Sequence, residues 1–137
     1  MNQPLEADAR PPLILVDSEA DALSDLAWSN RDRFPDVCDM LLQEINRANI
    51  CARDELPDDA VTMASQIDYV DERSGQGRTV ELVYPHHADA SLGRISIMTP
   101  IGAALIGLSA GSSILWPDRD GRHRTLTIEA VRQPARA

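Results

Sequence analysis

The sequence predicts an α+β fold in which a short N-terminal antiparallel helical hairpin precedes an antiparallel sheet carrying one short helix. Three observations lead there. Apolar residues recur at helical spacing between Asp17 and Ile50, and they alternate at strand spacing from Val61 onward. The stretch from Arg94 to Gly111, RISIMTPIGAALIGLSAG, then switches from strand to helix within a few residues.

Residues 1–11, MNQPLEADARP, have little to bury and read as a disordered lead-in. Order begins with the apolar run Leu13–Val16. Asp17-Ser18 follows, and Glu19 and Asp21 complete an acidic first turn that complements a helix N-terminus. This helix runs to about Ser29, with Leu23, Leu26 and Ala27 facing a partner helix. Phe34-Pro35-Asp36 opens the second helix, where Val37, Leu41, Ile45 and Ala48 form one stripe that ends near Ile50. The link Asn30–Arg33 is too short for anything but an antiparallel return. At ~1.5 Å rise per residue the hairpin is only ~20 Å long. Residues 12–55 thus form the hairpin unit, and Arg53–Asp59 leads into a second unit over 56–134.

In the second unit Ile67, Tyr69 and Asp71 alternate with Asp68, Val70 and Glu72. Ser74-Gly75-Gln76-Gly77 turns the chain and Arg78–Tyr84 returns. Further on, Thr99 offers an N-cap hydroxyl, Pro100 the fixed φ of a first helical position, and Gly111 a stop. At ~100° per residue, Ile101, Ala104, Leu105 and Leu108 share a stripe facing the sheet, with Gly102, Ala103, Ile106 and Ala110 opposite. Met98 and Ile106 are therefore expected at the surface, where an apolar patch marks a partner-binding site. Trp116-Pro117 precedes a turn at Asp118–Gly121, and Leu126, Ile128 and Ala130 make the last inward row.

A chain of 137 residues with 43% apolar content can bury one modest core. Cys38 and Cys51 are too far apart for a C-x-x-C pair, the N-terminus shows no signal-peptide pattern, and no apolar run approaches the ~20 residues of a membrane span. A soluble cytoplasmic protein is expected. The net charge of −9 lies in the first sixty residues, where fourteen acids face five arginines, while the remainder balances eight against eight. Such acidity opposes direct nucleic-acid binding and suits a basic protein partner. Asp25, Asp39 and Glu44 belong to this solvated acidic face.

Candidate sites are few. Asp32 and Asp36 lie at the hairpin tip, and paired carboxylates suit a hard cation, but Arg31 and Arg33 flank Asp32. His86 and His87, adjacent on a segment read as extended, point apart, and His123 belongs to another loop, so no zinc framework forms. Neither G-x-S-x-G nor a glycine-rich phosphate loop occurs, and there is no lysine. A non-enzymatic protein without metal or cofactor follows.

The run Thr99-Pro100-Ile101-Gly102-Ala103-Ala104-Leu105-Ile106-Gly107, with Gly111 beyond it, resembles the Ser-Pro-x-Gly-x-Ala-Leu-x-Gly…Gly signature of the C-terminal domain of the Gre transcription factors. Leu56-Pro57, Val61-Thr62-Met63, Leu82-Val83-Tyr84-Pro85, Ala88-Asp89-Ala90-Ser91 and Gly93-Arg94-Ile95-Ser96 resemble the shorter branch called regulator of nucleoside diphosphate kinase, Rnk. The likeness covers residues 12–132. The chain departs from the cleavage factors at Ala64-Ser65, where they usually have Gly-Ser, at Met98, where they often carry a polar residue, and at His86-His87.

The resemblance implies an FK506-binding-protein-like fold for residues 56–134. It implies a monomeric regulator that binds RNA polymerase near the secondary channel through Met98, Thr99, Pro100 and Ile101, and that meets nucleic acid only through the polymerase. Such a protein competes with Gre-type factors. The alternative is a transcript-cleavage-stimulating factor that carries magnesium on Asp32 and Asp36, although the hairpin is shorter than in those factors and lacks their dense acidic tip. Prolyl isomerases share the implied fold and use an aromatic pocket, for which this unit offers only Tyr69, Tyr84 and Trp116.

Overall fold

The computed structural model describes residues 11–117 and 123–134. The expected turn at Asp118–Gly121 and nearly all of the expected lead-in lie outside them.

Strand β1 (Ile14–Val16) leads directly into helix α1 (Asp17–Ser29). Helix α2 (Pro35–Arg47) follows the turn at residues 30–34 and leads into β2 (Asn49–Cys51). β1 and β2 pair in parallel, Ile14 with Asn49 and Val16 with Cys51, so the end of α2 returns to the start of α1. The two 13-residue helices therefore run antiparallel and act as the crossover that parallel strands require. Their apolar stripes meet as expected, with Leu23, Ala27, Cys38 and Leu41 fully buried and Leu26, Val37, Ile45 and Ala48 packed around them. α2 stops at Arg47, short of Ile50, because Asn49–Cys51 gives its backbone bonds to β1 instead.

A five-stranded sheet forms the second part, in the order β5-β4-β3-β7-β6. Its strands are β3 (Gln66–Asp71), β4 (Gly77–Val83), β5 (Arg94–Ser96), β6 (Ser113–Pro117) and β7 (His123–Arg132). The expectation of an all-antiparallel sheet is corrected. β5 lies parallel to β4, pairing Leu82 with Ile95, because the connection over residues 84–93 makes two 3-10 turns and brings the chain back alongside. The last inward row also differs. A bulge in β7 opposite Asp68 and Tyr69 shifts the register, so Leu126 and Ile128 face inward while Val131, rather than Ala130, pairs with Ile67 above the core.

Helix α3 (Pro100–Leu105) is apolar nearly all round; one side packs on α2 and Gly102 lies against the backbone at the end of β5. One core runs beneath hairpin and sheet alike, joining Leu15, Leu23 and Leu41 to Ile67, Leu82, Ile97, Leu105 and Ile128. Among the described residues, no helix is long and apolar enough to cross a membrane.

Candidate partner-binding surface

The turn from β5 into α3 is tightly determined. Thr99 caps the helix, its Oγ1 accepting from the N–H of Gly102 at 3.2 Å while donating to the carbonyl of Ser96 at 2.6 Å. Ser96 Oγ accepts the Met98 N–H at 2.9 Å, and Ile97 N–H donates to Val83 O, which ties the turn to β4. Gly102 is required because a Cβ there would collide with the carbonyl of Ser96. Gly107, at φ 80°, ends the helical path, and its carbonyl accepts from the N–H of Ile14.

This geometry revises which residues are offered to a partner. Ile106 is 1% exposed and Met98 6%, so the expectation that they form a surface patch is corrected. α3 ends at Leu105 and Ile106 leaves helical geometry with ψ at 134°, so a helical wheel cannot be extended through it. Gly102 presses against β5, which turns the Gly102–Ala103 side inward and leaves Ile101 and Ala104 half-buried. Met98 meets α2, its Sδ lying 3.9 Å from Cys38 Sγ. Pro100 is exposed and Thr99 and Ile101 are half-exposed, so these three form the accessible part of the expected site.

The hairpin tip brings together a different chemistry from the one expected. Asp32 and Asp36 are exposed, and Arg31 pairs with Asp39 at 3.0 Å rather than with Asp32. The Arg31 guanidinium also lies 4.8 Å from the ring centre of Trp28, and that of Arg33 lies 5.2 Å from Phe34. Trp28 is 60% and Phe34 38% exposed. Sequence reasoning missed both rings. The available signal was one aromatic residue on each side of the Asn30–Arg33 link, each with an arginine within three positions.

Elsewhere, Glu44 does not belong to a solvated face. It is 6% exposed and held by Arg47 Nε at 2.7 Å. His86 and His87 sit in a 3-10 turn rather than an extended segment, which brings their ring centres to 4.0 Å instead of pointing them apart. Among the described residues, no three or more His, Cys, Asp or Glu side chains gather where they could hold a metal ion. Tyr69 is buried and Tyr84 half-buried, each a core contributor.

Residues 56–133 match the family model described as "Transcription elongation factor, GreA/GreB, C-term". The chain belongs to the GreA/GreB transcription elongation factor family. Over 108 residues this Gre-family chain is 36% identical to the regulator of nucleoside diphosphate kinase of Escherichia coli (strain K12), covering 79% of each protein. It is 30% identical to the transcription elongation factor GreA of Acidiphilium cryptum, covering 93% of this chain and 86% of that one. A prokaryotic transcription elongation factor GreA/GreB from Nitrosomonas europaea has the same fold, with a TM-score of 0.74 and 33% identity over 90% of this chain and 99% of that one. The Gre-type signature read from Thr99 to Gly107 thus coincides with the capped turn, the inward-facing Gly102 and the helix stop at Gly107.

Proposed function

We propose that this chain is a non-enzymatic cytoplasmic transcription regulator that binds RNA polymerase near its secondary channel and competes there with Gre-type factors. The observation that carries the reading is the Thr99-capped turn, which holds Pro100 and half-exposed Ile101 at the surface of a chain in the GreA/GreB family. In this reading residues 56–134 are an FK506-binding-protein-like docking domain and residues 12–55 are a hairpin unit that points toward the channel. Met98 and Ile106 contribute from beneath by fixing the turn, while Thr99, Pro100 and Ile101 make the contact. The protein acts as a monomer, needs no cofactor, and meets nucleic acid only through the polymerase.

The relatives' names support a transcription-associated role, since they include elongation factors and a regulator. The cleavage-factor alternative finds less support, because the tip carries stacked arginines and aromatic rings around its two carboxylates. The deciding experiment is a binding assay with purified bacterial RNA polymerase, in which added GreA should displace this protein. Retention of neither core polymerase nor holoenzyme would overturn the proposal.

A further inference from the structure

The hairpin tip exposes two aromatic rings, Trp28 and Phe34. Phe34 lies in the turn and Trp28 in the last turn of α1, while the buried apolar side chains among the described residues are non-aromatic apart from Tyr69. Each ring lies under an arginine. Arg31 is also neutralised by Asp39, so it serves mainly as a flat cover on Trp28. Arg33 stacks on Phe34 with no carboxylate partner among the described residues, which leaves its fork of donors available to one anion.

We propose that Trp28, Arg33 and Phe34 form a protein-docking tip whose partner surface offers a single carboxylate beside an apolar depression. Tryptophan and arginine are enriched among the few residues that dominate binding energy in protein interfaces, and a ring already stacked loses little freedom on docking. Charge decides against nucleic acid. Asp32 and Asp36 are exposed on the same tip and Asp39 is paired with Arg31, so a polyanion would find one uncommitted guanidinium among several carboxylates, whereas a single carboxylate needs Arg33 alone. The tip would then hold the hairpin against protein rather than deliver a metal ion.

This inference rests on the polymerase-binding reading, and its test separates the two. Affinities for purified bacterial RNA polymerase are measured for the parent, Trp28→Ser, Arg33→Gln and Ile101→Glu, with thermal melts confirming that each variant folds. Trp28→Ser and Arg33→Gln should each weaken binding about tenfold or more without lowering the melting temperature. Failure of the parent to bind overturns both readings. Parent-like binding by the tip variants, with binding lost in Ile101→Glu, overturns the docking tip alone. Tight, Trp28-dependent binding of the parent to a fluorescent single-stranded RNA also overturns it, by assigning the tip to nucleic acid.

Discussion

Glu19 reaches from the first turn of α1 to accept the backbone N–H of Met63 at 3.2 Å, joining the root of the hairpin to the loop that enters the sheet. Its other oxygen is buried with no hydrogen-bond partner among the described residues. Burial pushes this carboxyl above its ordinary value of 4.5, against the opposing pull of the Met63 N–H and Arg53. A group whose pKa is raised on folding contributes stability below its unfolded pKa and loses it as pH rises through the folded one. The parent should therefore lose stability as pH climbs above 4.5, and Glu19→Gln should flatten that part of the profile. Urea midpoints measured across this range check it, and parallel curves for the two proteins would contradict it.

Asp68 has the opposite sign. Its carboxylate accepts from both terminal nitrogens of Arg132, at 2.8 and 2.9 Å, and from Thr79 Oγ1 at 2.7 Å. These bonds hold its pKa at about 2, against an ordinary 3.8. Its contribution is present above 3.8 and disappears as pH falls through about 2. Because the pair is largely solvated, Asp68→Asn should cost only about 0.5–1 kcal/mol at neutral pH. A loss several times larger would mean that Asp68 supports the bulge in β7 as well as the ion pair.

Ala64 occupies left-handed backbone, with φ at 68°. A Cβ is strained in this region, whereas glycine is not, although glycine costs more chain entropy on folding. Ala64→Gly should stabilise the protein by about 0.5–1 kcal/mol. Denaturant unfolding reads the difference directly, and a destabilised variant would show that the entropy term dominates.

The capped turn separates two classes of substitution. Gly102→Ala would drive a Cβ into the Ser96 carbonyl, and Ile106→Glu would bury a charge, so each should cost about 3 kcal/mol or more. Ile101→Glu and Pro100→Ala touch half-buried and exposed positions and should leave the melting temperature within a few degrees of the parent. Loss of polymerase binding in Ile101→Glu together with normal melting is the expected pattern. Normal melting of Ile106→Glu would refute the packing of α3.

At the tip, Asp32→Asn combined with Asp36→Asn should leave transcript cleavage by stalled polymerase unchanged. Release of short RNA that the parent stimulates and the double variant does not would restore the cleavage-factor reading.

Local signals served this sequence well where a residue type does one job. The extent of α1, the stripe through Leu41, the Thr99 cap and Pro100 at the first helical position could all be read directly. Direction and depth could not. Strand alternation carries no information on whether β5 runs with or against β4, and a two-residue period cannot foresee the bulge that replaces Ala130 with Val131. A helical wheel carries Ile106 to the surface because it assumes a helix that continues, whereas α3 stops one residue earlier. At the tip, formal charge marks Asp32 and Asp36 in the sequence, whereas the stacking of Arg31 on Trp28 and Arg33 on Phe34 depends on how the turn folds.

The parallel pairing of β1 with β2 makes the hairpin a boom of fixed bearing. Both of its legs are anchored, since Ile14 donates to the carbonyl of Gly107 and Asn49 to that of Leu13, each at 2.9 Å. Reach is thereby uncoupled from docking. Matched seven-residue insertions in α1 and α2 would extend the tip by ~10 Å while rotating it by only ~20°, with the mounting beneath unchanged.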